Sequence, residues 1–327
     1  MTELVLGVIS LFFGLILVNL VEARADPELK KWLNGLLALA NLPILGLGLV
    51  LVFAGESLQA QLRQVMVWQN FVPAGVVLII SASWGMAMTL RPVRNFLSRP
   101  FPLNPNSIIH TLALIMIGYL VGSSFLTLSQ GGLEGLAETA TATSTAQIVA
   151  PGLFFATTAF LGVGFFTRRD WPAVQQRLGL VWPSVPNLIG GFRWMIILVV
   201  MQSCIGGISF LLNPQQAQTQ ADINTLLMGN IDTVGEWLIL ALATGISEEI
   251  LFRGALQPVL GLLPTALIFA LAHFQYGFTL ATATIFLIGL VLGQIRQRQN
   301  TSTAIFIHVT YNFVLGLLSL IATSLLS

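Results

Sequence analysis

The stretch TGISEEILFRGALQP, Thr244 to Pro258, places two adjacent carboxylates and an arginine inside an apolar run. What surrounds it decides the fold. Only 8% of the 327 residues are charged, whereas an ordinary soluble domain carries about 25%. The apolar residues, 55% of the chain, gather into ten runs: Leu4 to Val21, Leu33 to Phe53, Val72 to Leu90, Ile108 to Leu128, Ala146 to Phe166, Phe192 to Leu212, Val234 to Leu256, Leu260 to Phe274, Phe278 to Ile295 and Ala304 to Leu326. A hydrocarbon layer about 30 Å thick takes roughly 20 residues of helix to cross. The pattern predicts an all-α, polytopic transmembrane bundle of about ten spans, with membrane lipid as its surroundings and no nucleic acid partner.

The first run lacks a basic flank and a small-residue cleavage site, so it reads as a retained span. The single cysteine, Cys204, excludes an intrachain disulfide. Short loops rich in Lys and Arg stay in the cytoplasm. With these run limits, 13 of the 14 basic residues fall on one face and Arg63 alone on the other, which predicts both termini outside. The expected location is the plasma membrane of a prokaryote.

Three regions are expected. Residues 1–167 hold about five spans without a chemical motif, and His110 there reads as a satisfied interfacial histidine. Residues 168–191 form an interfacial linker, whose RRDWPAVQQRLGLVWPSVPN, Arg168 to Asn187, alternates aromatic and basic residues with Trp171 and Trp182 at headgroup depth. Residues 192–327 carry all the unusual chemistry.

An ionisable residue inside a spanning helix costs a few kcal/mol on insertion scales, so it normally faces the protein interior and marks a functional route. On an α-helix Glu249 shares a face with Arg253, four residues on, which predicts a structural ion pair. Glu248 is turned away by about 100°. In a dry setting that carboxylate is suited to general-base work. The eighth run ends in FALAHF, predicting Phe269 and His273 one helical turn apart, and the tenth contains HVTYN, which sets His308 and Asn312 on one face. Two of the chain's three histidines thus fall in the same apolar region as the carboxylates.

The ordered set Glu248-Glu249-x-x-x-Arg253, Phe269-x-x-x-His273 and His308-x-x-x-Asn312 resembles the CAAX protease and bacteriocin-processing (CPBP, or Abi) family of intramembrane proteases, and among them the type II CAAX prenyl endopeptidases. The resemblance covers roughly Val234 to Leu320. It implies an endopeptidase in which Glu248 activates water, His273 assists, and His308 and Asn312 steady the oxyanion. It also implies a protein or peptide substrate, either a lipidated tail or a membrane segment. The alternatives are a transporter, for which the charges form one cluster and not a pathway, and a noncatalytic scaffold.

No cofactor is expected. The alternative is Zn2+ held by Glu248, His273 and His308, with water in the fourth position. Against it, the histidines do not form an i, i+4 pair on one helix, and Glu249, if committed to Arg253, leaves no carboxylate to orient an imidazole. A straight eighth span would carry His273 some 22 Å across the membrane. Pro258, Gly261 and Pro264 offer places for a break, and a water-filled cleft opening towards the cytoplasm is expected.

Overall fold

A computed structural model describes residues 2–66, 68, 70–139, 143–273 and 276–326. Phe274, the expected end of the eighth run, and residues 140–142, between the fourth and fifth runs, lie outside the described residues. The described chain is helical: α1 Thr2–Arg24, α2 Pro27–Leu39, α3 Leu42–Phe53, α4 Glu56–Val65, α5 Phe71–Thr89, α6 Arg91–Leu97, α7 Ile108–Leu128, α8 Gly132–Thr139, α9 Thr145–Gly162, α10 Trp171–Leu178, α11 Val185–Leu212, α12 Pro214–Met228 and α13 Val234–Glu249. A π-helical segment, Ile250–Leu256, leads into α14 Gln257–Leu260, followed by α15 Leu262–Leu271, α16 Leu280–Arg298 and α17 Thr301–Leu326.

Eight of these helical stretches are long and apolar enough to cross a membrane. The seventh and eighth apolar runs complete the set: one is the continuous helical path from Val234 to Leu260, the other the short α15. The protein is an all-helical integral membrane protein. Helix starts follow local capping chemistry. Ser144 with Gln147 and Thr233 with Glu236 form capping boxes at α9 and α13, and the Asp170 carboxylate accepts the Ala173 N–H at α10.

The chain divides into two compact units. One comprises Leu17–Thr139 and Leu271–Gly277. Here α3 and α5 bury Leu51, Phe71 and Ala74, and Arg94 gives its guanidinium to the carbonyls of Met88 (2.7 Å) and Pro105 (2.9 Å). His110 Nδ1 accepts the Asn104 N–H at 3.0 Å, the satisfied role expected of it.

The other unit, Met1–Ile16, Ala140–Ala270 and Phe278–Ser327, contains the charged helix. Its apolar core joins α11, α16 and α17 through Met195, Leu198, Ile288, Leu292, Ile307 and Tyr311. Helices α13 and α17 pack antiparallel, with Trp237 against Gly316 and Gly245 against Val309. A Cβ on Gly245 would stand 3.0 Å from the Val309 nitrogen, so this glycine sets the close approach of the two helices.

Two features depart from straight spans. First, the helix widens into a π turn immediately after Glu249. Pro258 explains the irregularity: it has no N–H to return to the preceding turn, and its ring crowds the carbonyl there. Two carbonyls of that turn, Gly254 and Ala255, instead accept the Arg177 guanidinium of α10 at 2.7 and 3.2 Å. Second, the helical path stops at Gly261, whose φ of +83° favours glycine, and resumes as α15. At ten residues α15 is about 15 Å long. The break for which Pro258, Gly261 and Pro264 were the candidates falls at Gly261, and α15 is about half the length of a crossing.

Replacing Arg177 with Ala leaves the Gly254 and Ala255 carbonyls unsatisfied in a partly buried setting. The expected loss is about 1–3 kcal/mol of stability, read as a lower thermal unfolding midpoint in detergent. Arg177→Lys should recover only part of it, since an ammonium lacks the planar fork that serves two carbonyls at once.

Candidate active site

Glu249 sits at the end of α13 with none of its surface exposed, and Arg253, in the π turn, is 1% exposed. The expected ion pair is present, with Arg253 Nη1 3.1 Å from Glu249 Oε1. The same oxygen lies 2.9 Å from Nδ1 of His308 on α17. Arg253 Nη2 also donates to the Gly289 carbonyl of α16 at 3.3 Å, and its guanidinium lies 4.2 Å from the centre of the Phe269 ring on α15. One buried carboxylate and one buried guanidinium therefore tie α13, the π turn, α15, α16 and α17 together.

The polar face continues. Gln257, four residues beyond Arg253, donates to the Gly293 carbonyl at 2.8 Å, four residues beyond Gly289. Gln257, Gly289 and Gly293 were not singled out from sequence. The small-x-x-x-small spacing Gly289-Gly293 on an apolar helix is the signal that marks them, because it brings a neighbouring helix close to backbone carbonyls. Aromatic rings close the apolar side: Phe269 meets Phe252 edge-on at 5.2 Å and His308 at 6.0 Å.

Glu248 is half-buried, unlike its fully enclosed neighbour, and its Oε2 is shielded from solvent. Consecutive helix residues differ by about 100° in direction, which turns Glu248 off the fully enclosed ion-pair face. One turn earlier on α13, Thr244 Oγ1 accepts from Asn312 Nδ2 at 3.1 Å and donates to the Leu240 carbonyl at 2.8 Å. The expected one-face pairing of His308 and Asn312 is thus realised as two ties from α17 to α13, one to Glu249 and one to Thr244.

His273 lies two residues beyond the end of α15, in the segment grouped with the first unit described above, and its carbonyl accepts the Tyr276 N–H at 3.2 Å. Phe269 and His273 are therefore not one turn apart on a continuous helix, as the spacing predicted. The helix ends at Leu271 as the chain turns towards Gly277, with φ of +57°, and the Thr279 cap of α16.

The sequence reading that Glu249 is committed to Arg253 alone is also corrected, since its Oε1 serves His308 as well. Carboxylate–imidazole contacts of this kind orient metal-ligating histidines. Yet among the described residues no three His, Cys, Asp or Glu side chains are grouped so as to hold a metal ion.

Removing the guanidinium by Arg253→Ala leaves Glu249 buried with His308 as its remaining partner. The expected cost is about 3–5 kcal/mol, measurable as reduced folded yield and a lower unfolding midpoint. An unchanged midpoint would show that the pair contributes nothing to stability.

No curated protein and no solved structure matches the chain. Residues 230–314 match the family model described as Type II CAAX prenyl endopeptidase Rce1-like. That region holds every motif residue from Glu248 to Asn312, and over it this chain is similar to the Rce1-like type II CAAX prenyl endopeptidases.

Proposed function

We propose that the protein is an intramembrane endopeptidase that hydrolyses a peptide bond in a membrane-associated or lipidated protein or peptide. The observation that carries this reading is the division of labour between two neighbouring carboxylates. Glu249 is enclosed with Arg253 and His308, while Glu248, one residue earlier, is half-buried and turned off that pair.

In the proposed reaction Glu248 accepts a proton from water as the water oxygen attacks the scissile carbonyl, with His273 assisting the transfer. Charge then develops on the carbonyl oxygen, and donors aimed at that oxygen lower the barrier. Asn312 has a second amide hydrogen beyond the one it gives Thr244. His308 keeps Nδ1 towards Glu249, which leaves its second ring nitrogen as the group that steadies the oxyanion in this reading. Collapse of the tetrahedral intermediate breaks the C–N bond, and the proton held by Glu248 passes to the leaving amine.

This chemistry uses water and the protein's own groups, without a cofactor. Zinc held by Glu248, His273 and His308 is the second reading, favoured by the Glu249–His308 contact. Elemental analysis of active protein, combined with strong chelation, separates the two. Direct activation of water predicts full activity after chelation; one equivalent of zinc whose removal abolishes turnover and whose return restores it would replace that mechanism.

Glu248→Gln is expected to leave the folded protein intact and to reduce peptide cleavage by about 10²-fold or more, because an amide does not accept the proton. The test compares terminal peptides that accumulate in membranes carrying the wild-type protein or the variant. Cleavage by Glu248→Gln at near wild-type rate would remove Glu248 from the chemistry.

A further inference from the structure

Arg296, in the last turn of α16, has no part in the site described above. Its guanidinium lies on Gly179, the left-handed residue that ends α10, and a Cβ there would stand 2.8 Å from the Arg296 Cζ. The arginine is half-buried, and its Nε is shielded from solvent without a hydrogen-bond partner among the described residues. A buried guanidinium nitrogen left unpaired costs the full desolvation of that group.

The surroundings add positive charge. Arg177 lies two residues before Gly179 and Arg168 and Arg169 lie just ahead of α10. Arg177 is spent on the Gly254 and Ala255 carbonyls, and Arg169 donates to the Val163 carbonyl. Burial first, and then Arg169, Arg296 and Arg168, push Arg177 down to about 10. Among the described residues none of Arg169, Arg177 and Arg296 has a carboxylate within ion-pair distance. Asp170, the nearest acid in sequence, is exposed and caps α10.

The position along the membrane normal is marked by aromatics. Trp171 packs on Phe160 and Phe165 at 5.8 and 5.7 Å, while Phe166 and Trp182 are 82% and 91% exposed. Exposed aromatic rings of this kind settle at headgroup level.

We propose that Arg296, which shares with Arg169 the neighbourhood of Arg177, binds the phosphate of an anionic phospholipid where the end of α10 meets the last turn of α16. A guanidinium fork matches phosphate oxygens in a bidentate, charge-assisted contact. Basic groups at the membrane surface draw anionic lipid, and the exposed aromatics flank the glycerol and upper acyl region of a lipid, which a free anion lacks. A bound phosphate also relieves the repulsion felt by Arg177, whose carbonyl bonds hold the π turn. Occupancy therefore stiffens the segment that carries Arg253.

The test uses the full-length protein, delipidated in neutral detergent and followed by thermal unfolding. It is titrated with phosphatidylglycerol, with phosphatidylcholine of the same chains, and with inorganic phosphate. A saturable rise in midpoint is expected with phosphatidylglycerol alone. Apparent affinity should fall about tenfold in Arg296→Ala and in Arg169→Ala, the loss of one charge-assisted hydrogen bond, and stay unchanged in Arg24→Ala at the end of α1. An equal rise with phosphatidylcholine, or unchanged affinity in Arg296→Ala, overturns the proposal. An equal saturable rise with inorganic phosphate overturns the lipid as occupant. If Arg296→Ala fails to fold, Arg169→Ala decides the matter alone. The readout is binding, so its result is independent of peptidase activity.

Discussion

A carboxylate without exposed surface, inside a helix that faces a membrane interior, persists only if enough groups answer its charge. The idealised cost of taking such an ion out of water is of order 20 kcal/mol, and several kcal/mol remain after relaxation. Glu249 meets this with one oxygen shared by Arg253 and His308. Arg253 in turn is answered by the Gly289 carbonyl and by the face of Phe269. Each partner comes from a different helix, so satisfying Glu249 fixes the relative positions of α13, α15, α16 and α17. Gly245 belongs to the same constraint, since only a residue without a side chain lets α17 approach close enough for His308 to reach.

The π turn is the second consequence of the same local sequence. A regular α-helix through Gly254 would collide with Pro258, and widening by one residue removes the clash while keeping the helix continuous. The widening frees two carbonyls, which would be costly at membrane depth. Arg177 answers both from outside the span, and Leu178 of the same short helix packs on Gly254. Helix α10 is thus a clamp on the charged segment. Its C-terminal end also receives the Thr301 hydroxyl and N–H that begin α17.

The ten apolar runs and the Glu249–Arg253 pair were legible in the sequence because each depends on local periodicity: hydrophobic length for one, four-residue spacing for the other. The same rule misled at His273, where spacing implied a turn of helix and the chain had already left it. Periodicity cannot announce where a helix stops inside an apolar run. The contact between Glu249 and His308 joins residues 59 positions apart, and Gln257 and Arg177 act on carbonyls of other segments. Such ties follow from which helices become neighbours, and hydrophobic patterning leaves that open. The half-buried state of Glu248 belongs to the same class, since burial is set by the packed bundle.

Consecutive carboxylates on one helix give the site two environments at no cost in extra elements. The roughly 100° between neighbours sends Glu249 into the enclosed pair and Glu248 towards the edge where Thr244 holds Asn312. His308 and Asn312, one turn apart on α17, are each tied to α13, so a tilt between those helices would break both contacts together. In the proposed reaction these two residues steady the oxyanion. Their alignment is then fixed by the packing of α13 on α17 before any substrate arrives, and the reorganisation that ordinary solvent would undergo during the reaction is largely avoided. Glu248, less enclosed than Glu249, stands on the same helix that fixes the donors. In the proposed reaction a base and its oxyanion donors are thereby held in one frame, and the charge that stabilises the frame is one residue removed from the charge that would react.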